Sequence, residues 1–243
     1  MDMNIQLGVN IDHIATLRQA RGESYPDTLE AAKTLLTLGA DYIVIHVRRD
    51  RRHIQETDLQ KLCGSFAKKI HLEMAPSKEM IELALKYKPG SVCLVPEYPN
   101  ELTTSGGLKF EEKNKADLKQ KIHRLQEAGI RVSLFIDPKA NAVRTAYNLG
   151  ADIIEICTKD YSKAKTQKQA QALLNEVALC ALLGRELNLE VHSGHGLTYE
   201  NVREVALIDA MQCLNIGFSI IARSLFVGLP QALLEMKNLL YRE

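Results

Sequence analysis

The chain has 243 residues, of which 46% are hydrophobic and 25% are charged, and its formal net charge is +1. This is the composition of an ordinary soluble globular protein, and it predicts no general attraction to nucleic acid or to a membrane surface. Trp is absent and only 5% of the residues are aromatic, so few side chains could stack on the bases of single-stranded nucleic acid. No apolar run approaches the roughly 20 residues that a membrane-spanning helix needs.

The cysteines and the first residues predict a cytoplasmic protein. The five cysteines show no Cys-x-x-Cys spacing and stand mainly in apolar stretches. An odd, scattered set of this kind is typical of small core residues in a reducing compartment. The N-terminal sequence lacks the basic region followed by a long apolar one that marks a secretory signal.

The first part of the chain alternates predicted strands and helices. A polar loop containing Arg18, Arg21 and Gly22 follows the first strand, and a capping-box pattern, Thr57-x-x-Gln60, predicts the start of a helix. The predicted strands lie at 5–11, from 41, at 70–74 and at 91–95, and the predicted helices lie at 26–39, after 57 and at 77–86.

The alternation continues to the end of the chain. A long loop at 96–109 contains Gly106 and Gly107, which predict freedom to close over a ligand. The predicted strands lie at 131–136, 152–157, 189–192 and 212–216. The predicted helices lie at 114–128, before Gly150, at 162–187, near Tyr199, and around Gly228 and Pro230.

Eight strand–helix units of about 30 residues each predict a (β/α)8 TIM barrel with extra helices, as one domain over 1–243. A doubly wound open sheet is the structural alternative. A short internal repeat indicates that one structural unit recurs along the chain. The sequence at 38–45, in which a glycine precedes a buried strand, is repeated with small changes at 149–156.

Polar residues cluster at the predicted C-terminal ends of the strands. In a parallel barrel these ends share one face, where catalysis takes place. The residues are Asn10, Asp12, His46, Arg48, Glu73, Glu97, Asp137, Glu155, His195 and Gly217. A face that served stability alone would not need so many ionisable groups.

Glu73 and Glu155 interrupt apolar strands, so we expect desolvation to raise the pKa of both carboxyls toward the range of a general base. The alternative is that each is a buried carboxylate paired with a neighbouring arginine. His46 and His195 are natural proton carriers, although a histidine at a strand end is often only hydrogen-bonded. Three other histidines are expected to be structural or exposed: His71, His123 and His192.

Two kinds of phosphate site are predicted. Arg48, Arg51, Arg52 and His53 could hold a phosphate by charge-assisted hydrogen bonds. Glycines that precede helices, Gly196 and Gly217, could offer backbone N–H groups to a second phosphate. No Walker or Rossmann glycine pattern is present, so neither ATP nor NAD is implied.

Several blocks in register resemble the pyridoxine 5′-phosphate synthase family. They are residues 8–22, 46–48, 50–54, 72–75, 93–97, 102–104 with 106–107, 194–197 and 215–217. The resemblance implies a barrel enzyme that condenses 1-deoxy-D-xylulose 5-phosphate with 3-amino-2-oxopropyl phosphate, releasing phosphate and water, without a redox cofactor. It also implies a homo-octamer in which extra helices make the contacts.

The resemblance implies a role for each matching residue. Glu73 and His46 would accept protons, His195 would donate one, and Glu155 would assist. The deoxyxylulose phosphate would be held by Asp12, His13, Arg48, His53 and Thr103. The aminoketone phosphate would be held by Asn10, Arg21, Gly196 and Gly217. Phe218 stands where the family usually has histidine, Arg49 where an acidic residue is usual, and Cys157 where histidine is usual.

Two other functions are compatible with parts of the sequence. A metal-dependent sugar-phosphate epimerase or aldolase would use His46, Glu73, Glu155 and His195 as ligands, and would lose activity to a chelator. A nucleic-acid-binding module would use the basic residues at 48–53, and its binding would be sensitive to salt.

Overall fold

The computed structural model describes residues 5–97 and 106–241. Its eight strands are all parallel and pair in chain order, and the last pairs with the first to close a barrel. The strands are β1 (Gln6–Asn10), β2 (Tyr42–His46), β3 (Ile70–Met74), β4 (Ser91–Leu94), β5 (Arg131–Ile136), β6 (Ile153–Cys157), β7 (Glu190–Gly194) and β8 (Cys213–Ile216). The predicted (β/α)8 barrel is confirmed, and the open sheet is excluded.

Eleven α-helices within these residues surround the barrel, more than one for each strand. They are α1 (Asp12–Arg21), α2 (Thr28–Thr37), α3 (Glu56–Phe66), α4 (Lys78–Tyr87), α5 (Glu112–Glu127), α6 (Ala140–Leu149), α7 (Lys159–Ser162), α8 (Gln167–Glu186), α9 (Val202–Ala206), α10 (Phe218–Val227) and α11 (Leu229–Leu240). None of them combines the length and apolar character that crossing a membrane requires.

The predicted polar loop after β1 is wrong, because α1 occupies it. This helix buries only a few residues, including Ile14 and Ala15, so its sequence carries a weak apolar period. Its end is well defined: Gly22 adopts a left-handed conformation with φ +68° and donates to the Arg18 carbonyl. A glycine at this position ends a helix at little steric cost.

Two other helix boundaries differ from the prediction. The capping box of α3 is formed by Gln55 and Asp58, not by the Thr57 pattern, so the helix begins earlier. The helix predicted over 162–187 begins later, as α8 at Gln167, because Thr166 leaves the helical conformation and caps it by accepting from the Gln169 N–H, and residue 162 ends the preceding short helix α7. A hydroxyl at an N-cap satisfies a backbone donor that would otherwise have no partner.

Alternation along the strands divides apolar from polar side chains. On β3, Ile70, Leu72 and Met74 belong to the main hydrophobic core, which lies between the sheet and the helices. The alternate residues His71 and Glu73 point to the barrel axis, where they meet polar side chains of other strands. Barrel interiors are usually filled with branched apolar residues. This interior is therefore equipped for proton chemistry rather than for stability.

A buried ion pair joins the first three helices. Both nitrogens of the Arg18 guanidinium fork donate to the two oxygens of Asp58 at 2.6 Å. Asp58 also accepts from the Thr28 hydroxyl at 3.0 Å and the Gln55 backbone N–H at 2.8 Å. Bidentate pairs of this kind fix geometry as well as adding energy. The pair holds α1 beside β2 and α3, next to the C-terminal end of the barrel.

Asp58→Asn should destabilise the protein by roughly 3 kcal/mol, because Arg18 would keep a buried charge without its counter-ion. The measurement is the urea denaturation midpoint at pH 7. Glu82→Gln is the matched control, since it breaks the Arg124–Glu82 pair, whose side chains are 49% and 50% exposed. Exposed pairs contribute little. Equal midpoints for the two variants would contradict a structural role for the Arg18–Asp58 pair.

Candidate active site

A cavity of about 660 Å³ opens at the C-terminal ends of the strands. Its walls contain most of the predicted site: Asn10, Asp12, His13, His46, Arg48, His53, Glu73, Glu155, His195, Gly196, Gly217 and Phe218. We call it the C-terminal cavity. Residues predicted from six separate segments of the chain thus lie around one cavity.

One predicted residue is not brought to this cavity, and another cannot be placed. Arg21 is exposed at the last position of α1 and is not part of the cavity wall. Thr103 lies outside the described residues. The roles of both stay predictions.

His46, at the end of β2, stands between two carboxylates. Its Nε2 lies 2.9 Å from Glu97 Oε1, and its Nδ1 lies 3.6 Å from Glu73 Oε2. Burial raises the pKa of Glu97, but hydrogen bonds from His46 and the Arg49 backbone N–H outweigh it and lower this pKa below its ordinary value. An ionised Glu97 can only accept, so Nε2 of His46 carries the hydrogen of this bond, and Nδ1 is the ring nitrogen nearer to Glu73.

The two axial glutamates have opposite pKa shifts. Burial, followed by the charges of Glu155 and Asp12, raises the pKa of Glu73 well above its ordinary value. Burial would also raise the pKa of Glu155, but His71, His192 and Asn215 more than offset it and lower that pKa. The expectation for Glu73 is confirmed, whereas the expectation of a raised pKa for Glu155 is wrong. Its partners are imidazoles and an amide, not the arginine of the alternative interpretation.

The backbone holds His195 in an unusual position at the end of β7. Its φ is +80°, a conformation uncommon for residues other than glycine. The Thr158 hydroxyl fixes this turn by donating to the carbonyls of Gly194 and His195 at 2.7 and 2.9 Å. Burial, and then the charge of Lys159, lowers the pKa of His195. The imidazole is therefore neutral near pH 7 and can still donate its N–H.

One side of the cavity suits a phosphate. Arg48 is 4% exposed, and its Nε has no hydrogen-bond partner among residues 5–97 and 106–241. Its nearest carboxylate oxygen, Asp50 Oδ1, is 3.9 Å from Nε. His53 lies beside it, with its Nδ1 4.0 Å from Asp12 Oδ1. A guanidinium on a cavity wall is a suitable anion site, and Arg48 is part of this wall.

Another part of the wall, on the far side of β1 from Arg48, offers a helix N-terminus. Gly217 precedes α10 and packs so closely on Asn10 that a Cβ would lie 2.8 Å from the Asn10 Cβ. Nearby, Gly196 has φ +83°, and a Cβ there would meet the Ser162 hydroxyl at 2.1 Å. Both positions thus require glycine. Free backbone N–H groups at the start of α10 favour an anion there.

Phe218, the first residue of α10, lies where the helix meets the cavity. Its ring packs edge-to-face on His13, with centroids 5.3 Å apart and planes at 75°. The side chain is 70% exposed. The wall therefore has an apolar ring at a position where it could have had a hydrogen-bond donor.

Two further arginines of the 48–53 segment, Arg51 and Arg52, are engaged with acidic residues. Arg51 donates to Glu79 Oε1 and to the Arg48 carbonyl, both at 2.7 Å. Arg52 donates to Asp50 through its backbone and its guanidinium. These pairs leave little excess positive charge for a nucleic-acid backbone.

Sequence reasoning missed the residues that orient the predicted ones. Glu97 was recognised at a strand end but given no role, although Pro96-Glu97 directly after an apolar strand could have indicated one. Asn215 donates to Glu155 Oε2 at 2.7 Å. His71 and His192, expected to be structural or exposed, lie buried on the barrel axis next to Glu155. Only the spatial proximity of distant strands identifies these contacts.

The fold and the cavity define a class: a (β/α)8 barrel protein with titratable side chains gathered around a cavity at the C-terminal ends of its strands. Solved structures share this fold at low sequence identity. The tryptophan synthase α-subunit of Pyrococcus furiosus is 11% identical with a TM-score of 0.61, and the match covers 98% of this chain and 96% of that one. Phosphoribosyl anthranilate isomerase of Thermus thermophilus is 12% identical with a TM-score of 0.58, covering 97% and 98%.

Sequence comparison then gives the family. The family model described as "Pyridoxal phosphate biosynthesis protein PdxJ" matches residues 7–242, and the chain belongs to this family. The pyridoxine 5′-phosphate synthase of Elusimicrobium minutum is 57% identical over 236 residues, which are 97% of this chain and 98% of that one. That of Magnetococcus marinus is 48% identical over 236 residues, 97% of each chain.

Glu73→Gln should stabilise the fold increasingly as the pH rises above 4.5, the ordinary pKa of the carboxyl. Because the folded-state pKa is higher, the native state binds more protons than the unfolded chain in this window, and wild-type stability falls with rising pH. Glutamine keeps the shape but not the charge. Urea midpoints of wild type and variant between pH 5 and about 8 should diverge; parallel curves would contradict the raised pKa.

Proposed function

We propose that the chain is a pyridoxine 5′-phosphate synthase: it condenses 1-deoxy-D-xylulose 5-phosphate with 3-amino-2-oxopropyl phosphate to pyridoxine 5′-phosphate, releasing phosphate and water. Family membership supports the reaction, and the relatives named above carry this name. The observation that carries the proposal is one cavity that combines two carboxyls of opposite pKa shift with two separate anion sites.

Ring closure requires repeated proton transfers, and the paired glutamates suit this task. A carboxyl whose pKa is raised toward neutrality is a better general base than an ordinary glutamate, because its conjugate acid holds the proton more strongly. Glu73 therefore accepts protons, with His46 Nδ1 as the second acceptor beside it. Glu155 stays ionised and favours positive charge that develops on the nitrogen of the substrate.

His195 serves as the proton donor in this proposal. The imidazole first takes a proton from solvent or substrate, and the resulting imidazolium, made more acidic by the lowered pKa, protonates a leaving oxygen, which becomes water or a hydroxyl, and returns to neutral imidazole. The Thr158 clamp on the backbone fixes the ring relative to the cavity. A preorganised donor avoids the free-energy cost of reorientation during each transfer.

The two phosphates are assigned to two different parts of the cavity wall. Arg48, His53, Asp12, His13 and Thr103 would hold the deoxyxylulose phosphate, and Asn10, Arg21, Gly196 and Gly217 would hold the aminoketone phosphate. The unused Arg48 Nε supports the first assignment. The α10 N-terminus supports the second.

The test is to incubate the purified protein with both phosphorylated substrates and to follow phosphate release and product absorbance, with and without a chelator. Product in both conditions supports the synthase. Loss of activity with the chelator, restored by metal, would favour the metal-dependent epimerase or aldolase class instead. No product from a folded protein would overturn the proposal.

Glu73→Gln should lower kcat by roughly 10²–10⁴-fold with little change in KM, because it removes proton transfer and keeps the shape of the side chain. Steady-state kinetics with both substrates measures this. Glu79→Gln, which alters an exposed carboxylate paired with Arg51, is the control and should retain activity. Wild-type turnover in folded Glu73→Gln would remove Glu73 from the mechanism.

Phe218→His should lower KM for the aminoketone phosphate, since an imidazole at the start of α10 adds a donor to the anion site. Initial rates at saturating deoxyxylulose phosphate measure the change. Phe226→His, on the same helix and outside the cavity wall, is the matched control. An unchanged KM would mean that the site binds the aminoketone phosphate without a side-chain donor at position 218.

We also propose a homo-octamer in the cytoplasm. Apolar side chains stand exposed on the outer helices, including Leu179 at 68% on α8 and Phe226 at 84% on α10. Large exposed apolar groups favour subunit contacts. The five cysteines are buried free thiols, which suits a reducing compartment. Light scattering of the purified protein tests the assembly: a monomer at micromolar concentration would contradict it.

A further inference from the structure

Three side chains with different donor atoms meet on the barrel axis below Glu73. They are His71 of β3, Cys93 of β4 and Glu155 of β6, and one donor atom of each lies within 4.8 Å of one from each of the others. Their exposed fractions are 2%, 0% and 3%. We call these three residues the axial triad. An imidazole, a thiol and a carboxylate in one place form a donor set that zinc accepts.

His71 aims an unpartnered nitrogen into the triad. Its Nδ1 lies 2.7 Å from the Ser91 hydroxyl, whereas its Nε2 has no hydrogen-bond partner within the described part of the chain. Nε2 lies 3.8 Å from Glu155 Oε2, too far for a hydrogen bond. Two ligands of one tetrahedral zinc ion lie about 3.3 Å apart, given bonds of roughly 2.0–2.1 Å. A shift of about 0.5 Å would therefore let both atoms bind one ion.

The surroundings orient two of the three ligands. Ser91 can accept from His71 Nδ1, which leaves the lone pair on Nε2. Asn215 donates to Glu155 at 2.7 Å. Partners of this kind fix the tautomer and direction of metal ligands and raise their affinity. A cation can approach from either end, since Glu155 lines the C-terminal cavity and His71 lines a smaller one at the opposite face.

We propose that the axial triad is a binding site for Zn²⁺, and that the bound ion inhibits the enzyme by engaging Glu155. On binding, the Cys93 thiol releases its proton to solvent, and the thiolate, the imidazole nitrogen and one carboxylate oxygen form bonds to the ion. The carboxylate of Glu155 attracts a divalent cation to the triad. Because Glu155 also lines the C-terminal cavity, an ion bound to its carboxylate takes that group away from the substrate.

A second group of possible metal ligands, in the C-terminal cavity, is a weaker candidate for a metal site. Asp12, His46 and Glu73 also lie within reach of one ion. However, the Asp12 carboxylate already accepts from the His46 backbone and from Asn10, and His46 Nε2 faces Glu97. This group contains only nitrogen and oxygen donors. The presence of sulfur therefore distinguishes the two groups spectroscopically.

The experiment uses Co²⁺, a spectroscopic substitute for Zn²⁺, titrated into the full-length protein after removal of metal by a chelator. We expect one ion per chain, a thiolate-to-cobalt charge-transfer band, and displacement by Zn²⁺. Cys93→Ser should remove the band, and His71→Asn should weaken binding at least about 10-fold. Cys63→Ser alters a buried cysteine of α3, distant from the triad in the chain, and should behave as wild type.

Two results would overturn the site. One is the absence of stoichiometric binding by folded wild-type protein. The other is a cobalt spectrum that survives Cys93→Ser unchanged, which would assign the ion to Asp12, His46 and Glu73. A rise in thermal midpoint with Zn²⁺ in wild type, absent in folded Cys93→Ser, would support the site without relying on the visible spectrum.

The inhibitory consequence rests on the proposed function, whereas metal binding does not. With the synthase assay, Zn²⁺ should inhibit wild type and Cys63→Ser, and Cys93→Ser should be resistant. Inhibition of Cys93→Ser to the same extent would overturn the regulatory role. If the protein makes no pyridoxine 5′-phosphate at all, the cobalt titration still tests the site, so failure of the function and failure of the site remain distinguishable.

Discussion

The negative charge of Glu155 inside the barrel is the feature on which the rest of the site depends. Asn215 donates to this carboxylate, and the imidazoles of His71 and His192 stabilise it from below. In a low-dielectric interior, a fixed charge acts strongly on its neighbours. Burial, and then this charge, raises the pKa of Glu73 on the same axis above that of an ordinary glutamate. Two carboxyls of identical chemistry thus acquire different roles from their surroundings.

Accommodating this polar interior constrains the strands around it. Small residues make the space: a Cβ at Gly194 would lie 2.6 Å from Glu155 Oε1, and a Cβ at Gly8 would lie 2.2 Å from Asn215 Oδ1. Buried polar groups cost free energy unless they are paired. The stability of the fold comes instead from the apolar layer between the sheet and the helices. Separating the two layers allows the interior to serve chemistry.

The sequence predicted the fold because each buried strand is a short β-branched run with polar residues at its end. It also predicted the cavity wall, since the C-terminal strand ends of a parallel barrel converge whatever lies between them. It did not predict α1, whose few buried residues give a weak period. Nor did it predict the direction of the Glu155 pKa shift, because His71, His192 and Asn215 come from three other strands. A local sequence pattern does not show which side chains of distant strands contact each other inside a barrel.

The same electrostatic arrangement has two consequences that oppose one another. A concentration of negative charge on the axis holds a proton on Glu73, and by the same Coulomb attraction it favours any cation that can reach the axis. A proton on Glu73 is productive because the substrate can exchange it. A divalent ion bound by Cys93 and His71 leaves far more slowly, since three protein ligands hold it. A carboxylate placed beside Glu73 to raise its pKa also attracts divalent metal ions. Where metal-binding side chains stand beside that carboxylate, such an ion can inhibit the enzyme. In this barrel, Cys93 and His71 are those side chains.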